Sequence, residues 1–566
     1  MPDPLLHLTT IHAVAWSKII FVAALGTAAF LRYRRAPPWA YAILTSVSLA
    51  GLYAVLSAPL KTFFWGTTGD ETFIAAYLIR SMHGQYGSDF YYAWLPPFYP
   101  PLYFWMLGSI ARFVTDNAVN AAKIGVTFAL MAVGVVPAWW MNRQKEKTMS
   151  PWLPVLAPMI FFCLVDFHAF ILKPYEAVPA LLCVFWIAAC FIAVRSDAWT
   201  RKSAVLFGVT GGLLFLTYYF WWFVLIPALL ILTLVSPQSR RTLGRIGLVG
   251  IIMASLSSVY TAPLILSFLK HGVENWQAVF FVPEDLATYA PWGEVSTRGL
   301  LFVLGLFGLA WFRRMPFVRA NLTVFALCYG YQFVNMSVLV LGGKPAQAGK
   351  PFLFLAGATL AVGASVSLIE GYRVLQTRLD AFRLHTAVAL CILLFIPSAP
   401  FVQFVDNPRV QEQLEADLAP QGEVLLAKNI ETYVPDWNTR VWLTSGTAKL
   451  NAYVPLTYYL AHNPHFSHPA SLFSKRFAFV QQLTQSKTPE AFAQFADEAD
   501  PPITGLILYR GSSDNPFPLF FWQDRYPNGG EEIRLDLDRA LVDERYWTLA
   551  HGDNEWAVYV RKEGVF

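Results

Sequence analysis

The chain has 566 residues, 56% of them hydrophobic and 16% aromatic, with only 14% charged, against about 25% in an ordinary soluble domain; a soluble enzyme and a disordered chain are both excluded. Its net charge of +5 conceals a split, since residues 406–566 carry 14 Lys and Arg against 22 Asp and Glu while residues 1–405 carry 28 against 15. The tail has no basic stripe, so nucleic acid is not an expected partner, and the five cysteines lie in apolar runs without metal-ligand spacing.

A helix needs about 20 apolar residues to cross a bilayer. Such runs fall near 12–31, 39–60, 119–141, 151–170, 177–194, 203–220, 221–236, 246–269, 299–312, 320–341, 353–371 and 386–405, about twelve in all; 221–236 and 299–312 are short for a straight crossing. Every second connection is basic: Arg32, Arg34 and Arg35; Arg143, Lys145 and Lys147; Arg195, Arg201 and Lys202; Arg240, Arg241 and Arg245; Arg313, Arg314 and Arg319; Arg373, Arg378 and Arg383. Basic loops stay in the cytoplasm, so the other loops and the tail are expected outside. The fold class is therefore a polytopic α-helical membrane protein, residues 1–405, followed by a mixed α/β domain outside the membrane, residues 406–566.

Between the second and third spans lies a long outward loop, 61–118. It contains an expected amphipathic helix near 71–84, a proline-rich aromatic stretch, and an apolar segment near 100–114 expected to lie on the membrane rather than cross it. In the tail, Gly422–Lys428, Arg440–Thr444, Gly505–Arg510 and Trp556–Arg561 read as strands. Ser486–Asp497 reads as a helix with Thr488 as its cap and Pro489 at the first helical position.

Charged groups at a membrane boundary cost energy unless hydrated or paired, which singles out a few positions. Gly69-Asp70-Glu71 opens the outward loop; a carboxylate there can take a proton from a hydroxyl beside a lipid-borne reactant, or Asp70 can simply cap the following helix. Trp94-Leu95-Pro96-Pro97-Phe98-Tyr99-Pro100-Pro101 offers rings that stack on sugars, or a rigid turn. Asp166, His168, Lys173, Tyr175 and Glu176 form a third cluster, in which Lys173 and Glu176 share a helix face. Lys173 could neutralise a phosphate, or form a local ion pair. Lys344 and Lys350 in Gly342–Lys350 suit a phosphate too, although the P-loop spacing is absent and a plain turn accounts for the segment. His465 and His468 lack further zinc ligands in the sequence. Asp70, Glu71, Asp166 and Glu176 could together hold Ca²⁺ or Mg²⁺, but no spacing demands it; no cofactor is required, and metal use is left open.

Gly69-Asp70-Glu71, Leu95–Pro101, Lys173-Pro174-Tyr175-Glu176 and, more loosely, His465–Pro469 resemble the membrane arabinofuranosyltransferases of bacterial envelopes, in particular the galactan 5-O-arabinofuranosyltransferase family. That resemblance implies a GT-C fold and an inverting transfer of D-arabinofuranose from a polyprenyl-phosphate donor on the periplasmic side of the inner membrane. The acceptor would be a hydroxyl of a glycan or of a pilin-like protein. It implies catalytic roles for Asp70 and Glu71, donor-phosphate contacts for Lys173, Lys344 and Lys350, and substrate contacts for Trp94, Tyr99, His168 and Glu176. A GT-C enzyme for another lipid-linked sugar and a lipid or solute transporter are the alternatives.

Overall fold

Most of the expected spans emerge as helices in the computed structural model, which describes residues 4–58, 60, 70–143, 150–165, 167–197, 199–236, 239–274, 295–343, 353–377, 422–511, 516–524 and 530–564. In chain order they are α1 (Pro4–Tyr33), α2 (Pro38–Ser57), α3 (Asp70–Met82), α4 (Leu102–Ala111), α5 (Ala118–Arg143), α6 (Leu153–Leu164), α7 (Phe167–Leu172), α8 (Pro174–Arg195), α9 (Arg201–Thr217), α10 (Trp222–Leu234), α11 (Ser239–His271), α12 (Thr297–Trp311), α13 (Pro316–Gly342) and α14 (Leu353–Gln376). Proline opens α2, α8 and α13, where its missing N–H is one of the groups a helix leaves unpaired anyway.

Among the described residues, α1, α2, α5, α8, α11, α13 and α14 are each long and apolar enough to cross a bilayer, so this is a multi-pass membrane protein. The expected count of twelve is not reached by these residues. The runs 203–220 and 221–236 become α9 and α10, a pair bent by 117°. α6 and α12 have 12 and 15 residues, and the run 386–405 lies outside the described residues, as does the expected domain boundary near 405.

Two of the basic connections, after α8 and at the start of α11, meet. Arg245, early in α11, donates to the carbonyls of Val194 and Ser196 beyond α8 at 2.6 and 2.8 Å, and Arg241 pairs with Asp197 at 3.0 Å. At the other end the start of α8, the break before α10 and the end of α11 meet the 70–117 loop and the tail. α4 buries Phe104, Leu107, Gly108 and Ala111 and leaves Met106 and Ile110 exposed, followed by exposed Phe113 and Val114, the one-sided pattern expected of a helix lying on a membrane.

α3 departs from its expected amphipathic form. Every residue from Glu71 to Met82 is buried, because the tail covers the face that carries polar groups. Arg80 donates to the Leu456 carbonyl at 2.7 Å, to the Phe90 carbonyl at 3.3 Å and to the Gln85 side chain at 2.7 Å. Asp89 accepts the Tyr91 and Tyr92 N–H groups at 3.0 and 3.2 Å. Asn451 donates to the Phe90 carbonyl at 3.2 Å, and the Tyr458 N–H to the Tyr91 carbonyl at 2.8 Å.

The tail is a mixed α/β body with α15 (Gly422–Tyr433), β1 (Val441–Thr444), β2 (Thr457–Tyr458), α16 (Phe473–Thr484), α17 (Pro489–Glu498), β3 (Gly505–Tyr509), β4 (Phe517–Asp524), β5 (Gly530–Leu537), β6 (Trp547–Gly552) and β7 (Trp556–Arg561). One sheet has the order β2-β1-β3-β7-β6, with β1 parallel to β2 and β3 and β7 antiparallel to β3 and β6; β4 and β5 form a separate hairpin. Gly422–Lys428 is helical, not a strand as expected: Leu426, Ile430 and Val434 recur every four residues and are all buried, the stripe of a helix. Thr488 caps α17 as expected, accepting the Ala491 N–H at 3.2 Å.

Candidate active site

Two helix starts meet at the end of the bundle beneath the tail. Asp70 is the first residue of α3, and Glu176 lies in the first turn of α8, where carboxylates are favoured by the helix dipole. Lys173 immediately precedes Pro174 and brings its ammonium between them. Its Nζ is 2.9 Å from Asp70 Oδ2 and 3.9 Å from Glu176 Oε1, and Lys173 and Asp70 remain a third and a quarter exposed. Charges so placed keep capacity for a further partner, because their hydrogen-bonding positions are not all closed off by protein.

The wall beside them comes from the proline-rich loop. Tyr99 stacks on Phe73 with ring centroids 4.6 Å apart, and its carbonyl accepts the Tyr77 hydroxyl at 3.3 Å. The Phe98 carbonyl accepts the hydroxyl of Tyr260 from α11. The prolines deny this stretch a ladder of its own, and these side-chain donors fix it instead. Burial, with the neighbouring Asp70 and Glu176 charges, holds the Tyr99 phenol well above its ordinary value, so it serves as a neutral hydroxyl.

Glu71 faces elsewhere. Successive residues on a helix point about 100° apart, and Glu71 lines a hollow of about 20 Å³ with Tyr53, Ile74, Tyr103 and Pro174, roughly the room of one water. Burial, and then the Asp70 charge, pushes its carboxyl up to about 9. A carboxyl that stays protonated at neutral pH cannot take a proton there, so its placement does not support the expected share in base catalysis.

The remaining expected site residues divide. Trp94 is drawn into the seam with the tail: the Arg476 guanidinium lies 5.0 Å from its ring centroid. His168 belongs to α7, but its side chain lies outside the described residues, as do Gly69, Asp166, Lys344 and Lys350 entirely. His468 is buried between Phe98 and Phe268, at 5.7 and 5.8 Å, and its Nδ1 accepts the Ala470 N–H at 3.0 Å. Burial, then His271, pushes its imidazole down to about 3, which leaves it a neutral wedge. Among the described residues no group of three His, Cys, Asp or Glu side chains is placed to hold a metal ion.

Sequence reasoning did not single out the aromatic run 218–223. At the break between α9 and α10, the Trp221 indole donates to the Glu176 carbonyl at 3.0 Å. Tyr218 lies 6.0 Å from Tyr175, ring to ring. Six aromatic residues in succession where two apolar runs abut were the available signal.

The arrangement joins a partly exposed carboxylate, a cation and an aromatic wall at the mouth of a membrane bundle, which suits transfer of a sugar. The architecture is similar to that of the mycobacterial arabinofuranosyltransferase AftD, solved by cryo-electron microscopy, with a TM-score of 0.51 at 13% identity, covering 92% of this chain and 41% of that one. The likeness is one of fold, that of a GT-C type membrane protein. The chain is 24% identical over 561 residues to the galactan 5-O-arabinofuranosyltransferase of Mycolicibacterium smegmatis, covering 93% of this chain and 87% of that protein. It is 23% identical over 544 residues to its counterpart in Corynebacterium glutamicum, covering 87% and 79%. Residues 7–344 match the arabinofuranosyltransferase N-terminal family; the chain belongs to that family and is a glycosyltransferase.

Proposed function

We propose that the protein transfers D-arabinofuranose from a polyprenyl-phosphate donor to a hydroxyl of a glycan or a pilin-like protein, with inversion, on the periplasmic face of the bacterial inner membrane. The single observation that carries this reading is the Asp70–Lys173 contact at 2.9 Å, beside Glu176, at the end of the bundle opposite the basic connections after α8 and at the start of α11. The names of the relatives support the sugar, and the sidedness of the basic loops supports the outward location.

In this reading Asp70 takes the proton of the acceptor hydroxyl as that oxygen bonds to the anomeric carbon. The bond from that carbon to the phosphate oxygen breaks on the opposite face, and the phosphate leaves with the electron pair. Lys173 neutralises the departing charge, which matters more at a partly water-excluded site than in bulk water. Tyr99 lines the sugar, and Glu176 keeps Lys173 in place. The ammonium occupies the space between the two carboxylates where a bridging cation would otherwise sit, so no step is routed through a metal. The test is incubation of the purified full-length protein with a synthetic polyprenyl-phosphate arabinofuranose and a galactan or pilin-like acceptor. Release of polyprenyl phosphate with an inverted linkage is the expected result; movement of intact donor lipid without sugar transfer would overturn it in favour of a transporter.

A further inference from the structure

The proline-rich loop that carries Tyr99 is held from two sides. From the bundle, the Tyr260 hydroxyl of α11 donates to the Phe98 carbonyl. From the tail, one turn reaches the loop through three consecutive residues. Phe466 packs at 5.8 Å on Phe73, the ring on which Tyr99 stacks at 4.6 Å. The Ser467 and Tyr92 hydroxyls share a hydrogen bond at 3.0 Å. The His468 ring lies between Phe98, at 5.7 Å, and Phe268 of α11, at 5.8 Å, and Phe98 meets the Tyr99 ring at 5.4 Å.

The same turn is fastened to the end of α11. The Glu274 N–H donates to the Pro469 carbonyl at 3.0 Å. The Glu274 carboxylate accepts the Ser474 N–H at 3.0 Å, and the Ser474 hydroxyl as well, at the start of α16, where a negative charge is favoured. Between these contacts Leu472 takes a left-handed conformation, with φ at 53°, which a bulky side chain keeps only where its surroundings impose it. The His468 ring is fixed within the turn because its Nδ1 accepts the Ala470 N–H at 3.0 Å. We propose that this turn is a clamp on the aromatic wall of the site, with His468 as its positioning residue: the imidazole, wedged against Phe98, holds Tyr99 in register with Asp70 and Lys173. The tail thereby takes part in transfer from outside the bundle. The inference rests on the reading of Tyr99 as lining the sugar.

The experiment measures kcat per folded molecule, donor KM and melting temperature for full-length His468→Asn, His468→Phe, Glu274→Ala and Tyr99→Ala in lipid nanodiscs. The first variant keeps an acceptor for the Ala470 N–H and removes the ring; the second keeps a ring and removes the acceptor. His468→Asn should lower kcat by about 10- to 100-fold, the scale of a small misplacement at a reacting centre, with the donor KM little changed because Lys173 is untouched. His468→Phe should recover most of that rate yet melt at a lower temperature, since the Ala470 N–H is left unpaired. Glu274→Ala loosens the fastening without opening the core and should lower kcat several-fold. Wild-type kcat in His468→Asn, or an equal loss of kcat in His468→Asn and His468→Phe, overturns the clamp. If His468→Asn does not fold, wild-type kcat in Glu274→Ala overturns it instead. If Tyr99→Ala is impaired while that happens, only this inference falls; if Tyr99→Ala transfers at the wild-type rate, the reading of the wall falls and takes the inference with it.

Discussion

The molecule holds its charges in two contrasting ways. At the mouth of the bundle, Asp70, Lys173 and Glu176 face one another and stay partly open. In the seam between α3 and the tail, Arg80 and Asp89 are fully buried, and their recorded partners are backbone carbonyls, backbone N–H groups and an amide. Burial pushes Asp89 up to about 6 and Arg80 down to about 10, while fixed dipoles meet the Arg80 guanidinium and one oxygen of Asp89. A charge closed in by backbone holds chain segments together. A charge left facing its opposite, with water at one side, keeps the capacity to act on a substrate.

The largest effect that separates the two regions is expected at Asp70. Asp70→Asn keeps the shape and removes the base, so transfer should fall by about 100- to 10,000-fold while the protein unfolds at an unchanged temperature. A rate assay paired with a melting curve checks this, and near-normal transfer would erase the distinction drawn here. Lys173→Ala should follow with a loss of about 100- to 1,000-fold, together with weaker binding of the donor lipid in a direct titration. Unchanged donor affinity would remove Lys173 from the phosphate.

In the seam the sign of the test reverses. Arg80→Met removes one of two side-chain donors from the Phe90 and Leu456 carbonyls, the other being the Asn451 amide, and leaves Asp89 buried without its nearby positive charge. Breaking such an arrangement costs about 3–5 kcal/mol, which should appear as a lower melting temperature and as faster proteolysis of the tail. Transfer per folded molecule should change far less than in Asp70→Asn. Equal loss of activity at an unchanged melting temperature would mean that the seam belongs to the chemistry after all.

Much of this was legible in advance, for local reasons. Hydropathy marked the runs that became helices, and β-branched and apolar stretches marked β1, β3 and β7. Gly422–Lys428 misled because Glu423-Val424-Leu425-Leu426 fits either period until Ile430 and Val434 are counted. The family resemblance named Asp70 and Lys173 for separate tasks, and their ion pair joins distant parts of the chain that no local pattern links. Tyr218 was hidden because aromatic residues at a membrane boundary commonly serve as anchors. The tail's cover over α3 was equally invisible, since Arg80 and Asp89 resemble ordinary exposed charges until Leu456 and Asn451 arrive.

Glu71 gives the smallest and sharpest test, because it adjoins Asp70 yet belongs with the enclosed charges. Its carboxyl is held protonated by burial and by the Asp70 charge, with a value of about 9 against an ordinary 4.5. Between those values the folded protein binds a proton that the unfolded chain releases, so this group's contribution to stability is complete below about 4.5 and is lost as pH rises toward 9. The wild-type melting temperature should therefore fall across that range more steeply than that of Glu71→Gln, whose amide mimics the neutral acid. Transfer by Glu71→Gln should stay within a few-fold of wild type, because the base is its neighbour. A pH-independent difference between the two melting curves, or a Glu71→Gln protein as inactive as Asp70→Asn, would place Glu71 on the open side with the catalytic carboxylate.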